Sequence, residues 1–227
     1  MKHLLSPFLL VAISIASAQE ATPSLWSFGL RGGWTSTSIS RYDGGRMDEV
    51  YSSRSGIEVG IQSRYEVNSW LALRANLSFM QRSHRMDRNL NYINPVFTEL
   101  INSYLMLPMM ADFSFGGDYL RGHFFAGAYA GYWLTEQRRG KTYWMTDYYV
   151  YFEDFDERRD FTSEDNRFNF GLSLGASLSF SLSSKVDFAI DAIYYYDLTS
   201  HHIGSPHLAD PRYLNTISLS LSVNYKL

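Results

Sequence analysis

Chemistry needs side chains that can give up protons, attack carbon or hold a metal, and in this 227-residue chain they gather in three places. The first is Ser200, His201, His202, His207 and Asp210, all within one stretch near the end. Two or three histidines beside an aspartate can ligate zinc, and Ser200, His202 and Asp210 have the side chains of a nucleophile, a base and an orienting acid, as in an acyltransferase or protease. The spacing fits neither chemistry. An H-H-x4-H run matches no metal motif, and no strand-turn-helix elbow surrounds the serine. These are read as plain loop residues, with a small enzyme at this rim as the alternative.

The second place combines aromatics with acids. Tyr143, Trp144, Tyr148, Tyr149, Tyr151 and Phe152 are followed by Glu153, Asp154, Asp156, Glu157 and Asp160. Several carboxylates can surround calcium, but the EF-hand spacing is missing and Arg158 and Arg159 sit inside the cluster. The acids read as a solvated loop. The six aromatics read either as anchors for a ligand or protein partner or as a hairpin that lengthens a sheet. With no cysteine anywhere, disulfides and thiolate chemistry are absent too. The expectation is no catalytic residue, no metal and no cofactor.

The third set is dispersed: Arg31, Glu58, Arg64, Arg74, Asp112, Arg121, Asp187 and Asp191, with Glu66 and Lys226. Each sits between apolar neighbours, so the elements around them decide what they do. The last stretch shows the rule most clearly. From Ile217 to Leu227 every second residue is apolar or aromatic, and each residue between is polar. That is a strand with one greasy and one wet face. The same alternation marks strands at about 25–39, 57–67, 71–79, 119–134, 167–182 and 186–196. Between the third and the next of these, Leu105 to Met110 is apolar at nearly every position; it is read as a strand as well, with a bulge expected near Pro108 because proline has no N–H for the ladder. Loops are expected at about 41–55, 83–98, 135–166 and 198–213, and tight turns at Asn68-Ser69, Gly116-Gly117-Asp118 and Ser183-Ser184-Lys185.

Eight strands joined alternately by short turns and long loops predict an all-β, antiparallel, up-and-down transmembrane barrel. Aromatics make up 16% of the chain, yet its mean hydropathy is slightly negative, which suits strands that alternate between lipid and lumen. The apolar face points to lipid, because a soluble barrel lined by Ser, Gly and charges would have no dry core. The dispersed charges then lie inside, where an eight-stranded barrel has room only for side chains, and they are expected to form an interior ion-pair network that plugs the lumen. A net charge of −3 without a basic stripe gives no sign of nucleic-acid binding.

Lys2 and His3, the apolar run 4–15 and Ala16-Ser17-Ala18 have the layout of a signal peptide. It is expected to occupy residues 1–18 and to be cleaved near Ala18, leaving 19–227 as the barrel, with 135–166 as its long extracellular loop. Export through the periplasm to the cell outer membrane follows.

The segments Y-L-M-L-P-M-M (104–110), F-N-F-G-L-S-L-G-A-S-L-S-F (168–180), Y-Y-Y-D-L-T-S (194–200) and N-T-I-S-L-S-L (215–221) resemble the PorT-like outer-membrane β-barrel family. Met106 departs from it, standing where the family usually carries a polar residue. The resemblance implies an OmpA/OmpX-like barrel inserted into outer-membrane lipid by the barrel-assembly machinery. The leading functional reading is a non-enzymatic barrel that acts in surface binding, envelope support or as an accessory of a secretion complex, with the small enzyme at the loop rim as the alternative.

Overall fold

The computed structural model describes residues 26–41, 49–88, 96–117, 119–146, 149–163, 165–200 and 212–227. Nine strands follow in order: β1 (Trp26–Arg41), β2 (Glu49–Glu66), β3 (Leu71–Arg88), β4 (Val96–Gly116), β5 (Leu120–Met145), β6 (Val150–Arg159), β7 (Phe168–Ser181), β8 (Val186–Asp197) and β9 (Arg212–Lys226). Eight of them form a closed antiparallel ring. Each strand from β1 to β5 pairs with the next, β5 continues to β7, then β8 and β9, and β9 returns to β1 from Ser27↔Lys226 to Arg41↔Arg212. The ninth, β6, pairs only with the outer part of β5.

Local chemistry closes the short ends. Asn68 Oδ1 accepts from the backbone N–H groups of Trp70 (3.0 Å) and Leu71 (2.8 Å), an Asx turn that sends β2 back as β3. Gly116 has φ +117°, in the left-handed region open to glycine, and the Gly117 N–H then meets the Leu120 carbonyl at 3.1 Å. Alternation sorts the side chains as expected. Leu30, Leu172, Leu219 and Leu221 lie on the exposed outer wall, while Arg31, Ser173, Ser220 and Ser222 are buried.

Three expectations need correction. Segments read as loops at 41–55 and 83–98 are largely strand: β2 begins at Glu49, β3 runs to Arg88 and β4 starts at Val96. There polar residues such as Ser52 and Ser53, or Ser83 and His84, stand on both faces, so the ladder continues without apolar alternation. Pro108 carries no bulge. The β3–β4 register is the same on both sides of it, with only the pairs opposite Asn76 and Leu77 missing, and the shift in β4–β5 lies instead between Ser103 and Tyr104. There Leu134 is the extra residue on β5, and the inward parity of β5 changes, from buried Phe125, Tyr129 and Trp133 to buried Glu136.

The interior is also less polar than expected. Met80, Tyr104, Met106, Met110, Phe125, Tyr129, Trp133, Ile193, Tyr195 and Leu214 form one buried apolar cluster. β4 therefore has apolar residues on both faces, Met106 and Met110 inward and Leu105, Leu107 and Met109 outward. The rings find room because β7 carries inward glycines beside them. A Cβ on Gly175 would come within 2.2 Å of the Phe125 ring, and one on Gly171 within 2.5 Å of Tyr129.

Leu221 lies on the lipid wall, 53% exposed in the isolated chain, between Gly32 of β1 and Ile190 of β8. Leu221→Arg is expected to lower unfolding free energy by about 2–4 kcal/mol if it sits near the bilayer midplane. Urea titration of the protein in phospholipid vesicles, followed by tryptophan fluorescence, measures this.

Candidate functional site

The lumen is built in tiers from the short-turn end upward. At the open end a cavity of about 450 Å³ is lined by Arg64, Glu66, Arg121, His123, Asp187 and Lys226, among others. Lys226 pairs with Asp187 at 2.7 Å, and Arg121 reaches Glu66 at 3.9 Å. The floor is Asp112, fully buried, which binds Arg74 (2.8 Å), Arg64 (3.0 Å) and His123 (3.0 Å). Arg74 continues to Asp191 at 3.0 Å and lies 4.4 Å over the Phe125 ring. Beside this tier Arg31 pairs with Glu58 at 3.4 Å and donates to Ser220 Oγ at 2.7 Å.

All eight dispersed charges thus lie in the lumen or at its mouth, but not as one connected set. Arg64, Arg74, Asp112 and Asp191 are joined directly. Arg31 and Glu58 form a separate pair, and Arg121 and Asp187 belong to the rim of the cavity. Sequence reading missed the most buried cation, Arg82. It binds Asp197 at 2.6 Å, Thr216 at 2.9 Å and Asn169 at 3.2 Å, and donates to the Leu214 carbonyl. The Tyr129 hydroxyl also donates to Asp197. A signal was present, because Arg82 continues the inward series Arg74, Asn76, Ser78, Met80 and Asp197 continues Asp187, Asp191, Ile193, Tyr195. Each lay between the expected end of its strand and the expected start of the following loop. Among the described residues, the lumen below the outer mouth therefore holds six cations, Arg31, Arg64, Arg74, Arg82, Arg121 and Lys226, opposite six carboxylates, Glu58, Glu66, Asp112, Asp187, Asp191 and Asp197.

His123 links Asp112 through Nδ1 and Ser179 Oγ through Nε2, at 3.0 and 2.8 Å. That is the connectivity of a nucleophile relay. The same groups are tied elsewhere too: Arg74 and Arg64 also bind Asp112, and the Ser179 hydroxyl lies 3.3 Å from the Arg121 carbonyl, so the three side chains brace β4, β5 and β7.

The outer mouth is filled. Phe161 packs on Trp133 with ring centroids 4.9 Å apart, and Arg167 stacks on both Phe161 and Tyr132. Arg159 bridges Glu136 (3.4 Å) and Asp165 (2.9 Å). Burial opposes charge on Asp165, but the Thr162 N–H and Arg159 outweigh it and hold the carboxyl below its ordinary pKa.

Above the mouth, β5 and β6 form a hairpin, the second of the two readings of 135–166. Trp144, Tyr149 and Tyr151 are exposed together on one face, and the Trp144 indole N–H donates to Glu153 at 2.9 Å. Tyr143 and Phe152 pair on the other face. Tyr148, His201, His202, His207 and Asp210 lie outside the described residues, as does the stretch 1–18. Among the described residues no group of three or more His, Asp or Glu is placed to hold a metal.

The family described as an outer membrane protein beta-barrel domain matches residues 17–202. No curated protein matches the chain in sequence. Among solved structures, the outer membrane protein OprG from Pseudomonas aeruginosa is 11% identical, with 90% of this chain and 97% of that one covered and a TM-score of 0.53. The attachment invasion locus protein Ail of Yersinia pestis, solved with the heparin analogue sucrose octasulfate, is 16% identical over 89% and 99%, with a TM-score of 0.41. Neisserial surface protein A is 15% identical over 88% and 97%, at 0.43. The first likeness shows the fold, and the weaker two carry no argument.

Two outcomes follow from the tiers. Arg82→Ala takes from buried Asp197 the guanidinium it binds at 2.6 Å and is expected to cost about 3–5 kcal/mol in a urea titration, whereas Arg82→Met with Asp197→Leu recovers most of it. At the mouth, a carboxyl whose folded pKa is depressed stabilises above its unfolded value, about 3.9. That contribution is lost as pH falls through the folded value. Amide exchange of residues 159–167 is therefore expected to quicken below about pH 4, and Asp165→Asn to quicken it at neutral pH.

Proposed function

The chain belongs to the outer membrane protein β-barrel domain family, and from that premise we propose that it is a non-enzymatic barrel that binds a protein partner at the cell surface. The observation that carries this is the β5–β6 hairpin. It stands beyond the barrel ring with Trp144, Tyr149 and Tyr151 exposed together, and large aromatics on a firm backbone are what protein partners grip. The paired and packed interior supports a plugged lumen, so that the loops rather than a pore do the work. Envelope support and an accessory role in a secretion complex are forms of the same reading, since each needs a partner held from outside the lumen.

The PorT-like character of 104–110, 168–180, 194–200 and 215–221 belongs to this proposal. So do cleavage near Ala18, export through the periplasm and insertion by the barrel-assembly machinery. For the rim enzyme, His202 and Asp210 lie outside the described residues, and no observation favours it.

Purification from native membranes in mild detergent tests the reading. Wild-type protein is expected to retain a stoichiometric partner, and Trp144→Ala with Tyr151→Ala to lose it while keeping the heat-modifiable gel migration of a folded barrel. Wild-type protein that emerges alone, or a partner retained by the double variant, contradicts it.

A further inference from the structure

A barrel in lipid has no open edges, and among the described residues this one carries one strand that is open along its whole length. Every ring strand has a neighbour on both sides, while β6 has only β5. Which backbone groups face the open side follows from the turn. The Thr146 N–H donates to the Tyr149 carbonyl at 2.9 Å and the Tyr149 N–H to Thr146 Oγ1 at 3.2 Å, so this opposed pair is a hydrogen-bonded position, and in an antiparallel ladder such positions alternate. Trp144↔Tyr151, Thr142↔Glu153, Gly140↔Phe155 and Arg138↔Glu157 are then the bonded pairs. Phe152, Asp154, Asp156 and Arg158 turn their N–H and C=O groups away from β5, as a row of donors and acceptors ready for another strand.

The side chains along this row select what could add. Glu153, Asp154, Asp156 and Glu157 give the middle of β6 four carboxylates. Arg139 meets Asp156 at 2.9 Å and Lys141 meets Asp154 at 3.8 Å, both from the β5 side. The opposite flank offers the same acids to whatever comes next. A second copy of β6 laid antiparallel about Phe155 would set Glu153 against Glu157 and Asp154 against Asp156, which disfavours that register by about 0.2–1 kcal/mol per position. Lysine or arginine opposite the four acids gains instead. The acids in the middle of β6 thus favour a cationic strand, while a second copy shifted to bring Arg158 against Asp154 is the competing occupant.

We propose that β6 is a receptor edge for strand addition, taking an extended, lysine- or arginine-bearing segment of a partner protein along Phe152, Asp154, Asp156 and Arg158. This rests on the surface-binding reading of the hairpin and adds the mode of binding and the chemistry of the partner. Affinity comes from main-chain hydrogen bonds, and selection from charge.

The probe is a fluorescein-labelled decapeptide of alternating lysine and threonine, titrated into the full chain refolded in nanodiscs of zwitterionic lipid. A second peptide carries N-methyl groups on alternate residues and cannot pair along that edge. Saturable binding is expected in fluorescence anisotropy, weakened at least tenfold by N-methylation, with amide exchange slowed at Phe152, Asp154 and Asp156. Asp154→Pro removes one edge N–H without touching the β5 ladder and is expected to weaken binding similarly, as is Asp154→Lys with Asp156→Lys. Equal binding of the methylated peptide, unchanged edge amides, no saturable binding, or an edge already filled by a second copy overturns the proposal. If the methylated peptide and Asp154→Pro behave like wild type while Trp144→Ala abolishes binding, strand addition is wrong and the surface-binding reading stands.

Discussion

Inside a bilayer every backbone N–H and C=O must be satisfied within the protein, and here that depends on β9 lying along β1. Fifteen cross-strand pairs, from Ser27↔Lys226 to Arg41↔Arg212, join the first ring strand to the last. Once the ring closes, the alternation of each strand has only one consistent outcome: one set of side chains meets lipid and the other is enclosed. Charges on the enclosed set have no water to retreat to, so they persist only where they meet one another. The ion-pair tiers are therefore a consequence of closure. Arg74 illustrates this, since it spans from Asp112 on β4 to Asp191 on β8 and ties opposite walls together.

The two ends of the barrel differ because their surroundings differ. At the short-turn end, charges such as Arg121 and Lys226 are about one-third exposed around the cavity of about 450 Å³, where solvent screens them and pairing adds little. At the other end, Trp133, Phe161 and the Glu136–Arg159–Asp165 chain cover the apolar half of the lumen. Beyond them the strands leave the membrane, the need for closure ends, and β6 can exist with one side unpaired.

Much of the barrel was legible in the sequence because lipid enforces a strict period of two. That is why the residues from Phe168 to Leu182 could be read at sight, and why the inward placement of Arg31, Arg74, Asp112 and Asp191 follows from counting. The unread parts lie where that enforcement stops. Outside the bilayer, Glu49–Ser53 and Ser83–Arg88 keep their ladder without an apolar face, so they resemble loops in sequence. Arg82 and Asp197 stand beside those margins and were lost with them. The apolar wall of the lumen left one trace, the run Leu105 to Met110, apolar at nearly every position; that Met106 and Met110 share a buried cluster with Phe125 and Tyr129 of the neighbouring strand is not written in a strand's own periodicity. His123 had no partner visible in sequence, because Asp112 and Ser179 reach it from two different strands.

If closure forces the charges inward, and their pairing together with the Phe125–Tyr129–Tyr195 packing fills the space, the lumen has no path for ions and the work of the protein lies on its outer surface. Single-channel recording of the purified full-length protein in planar bilayers tests this most directly. A baseline indistinguishable from protein-free membrane is the predicted result, and a steady, reproducible conductance would contradict the account.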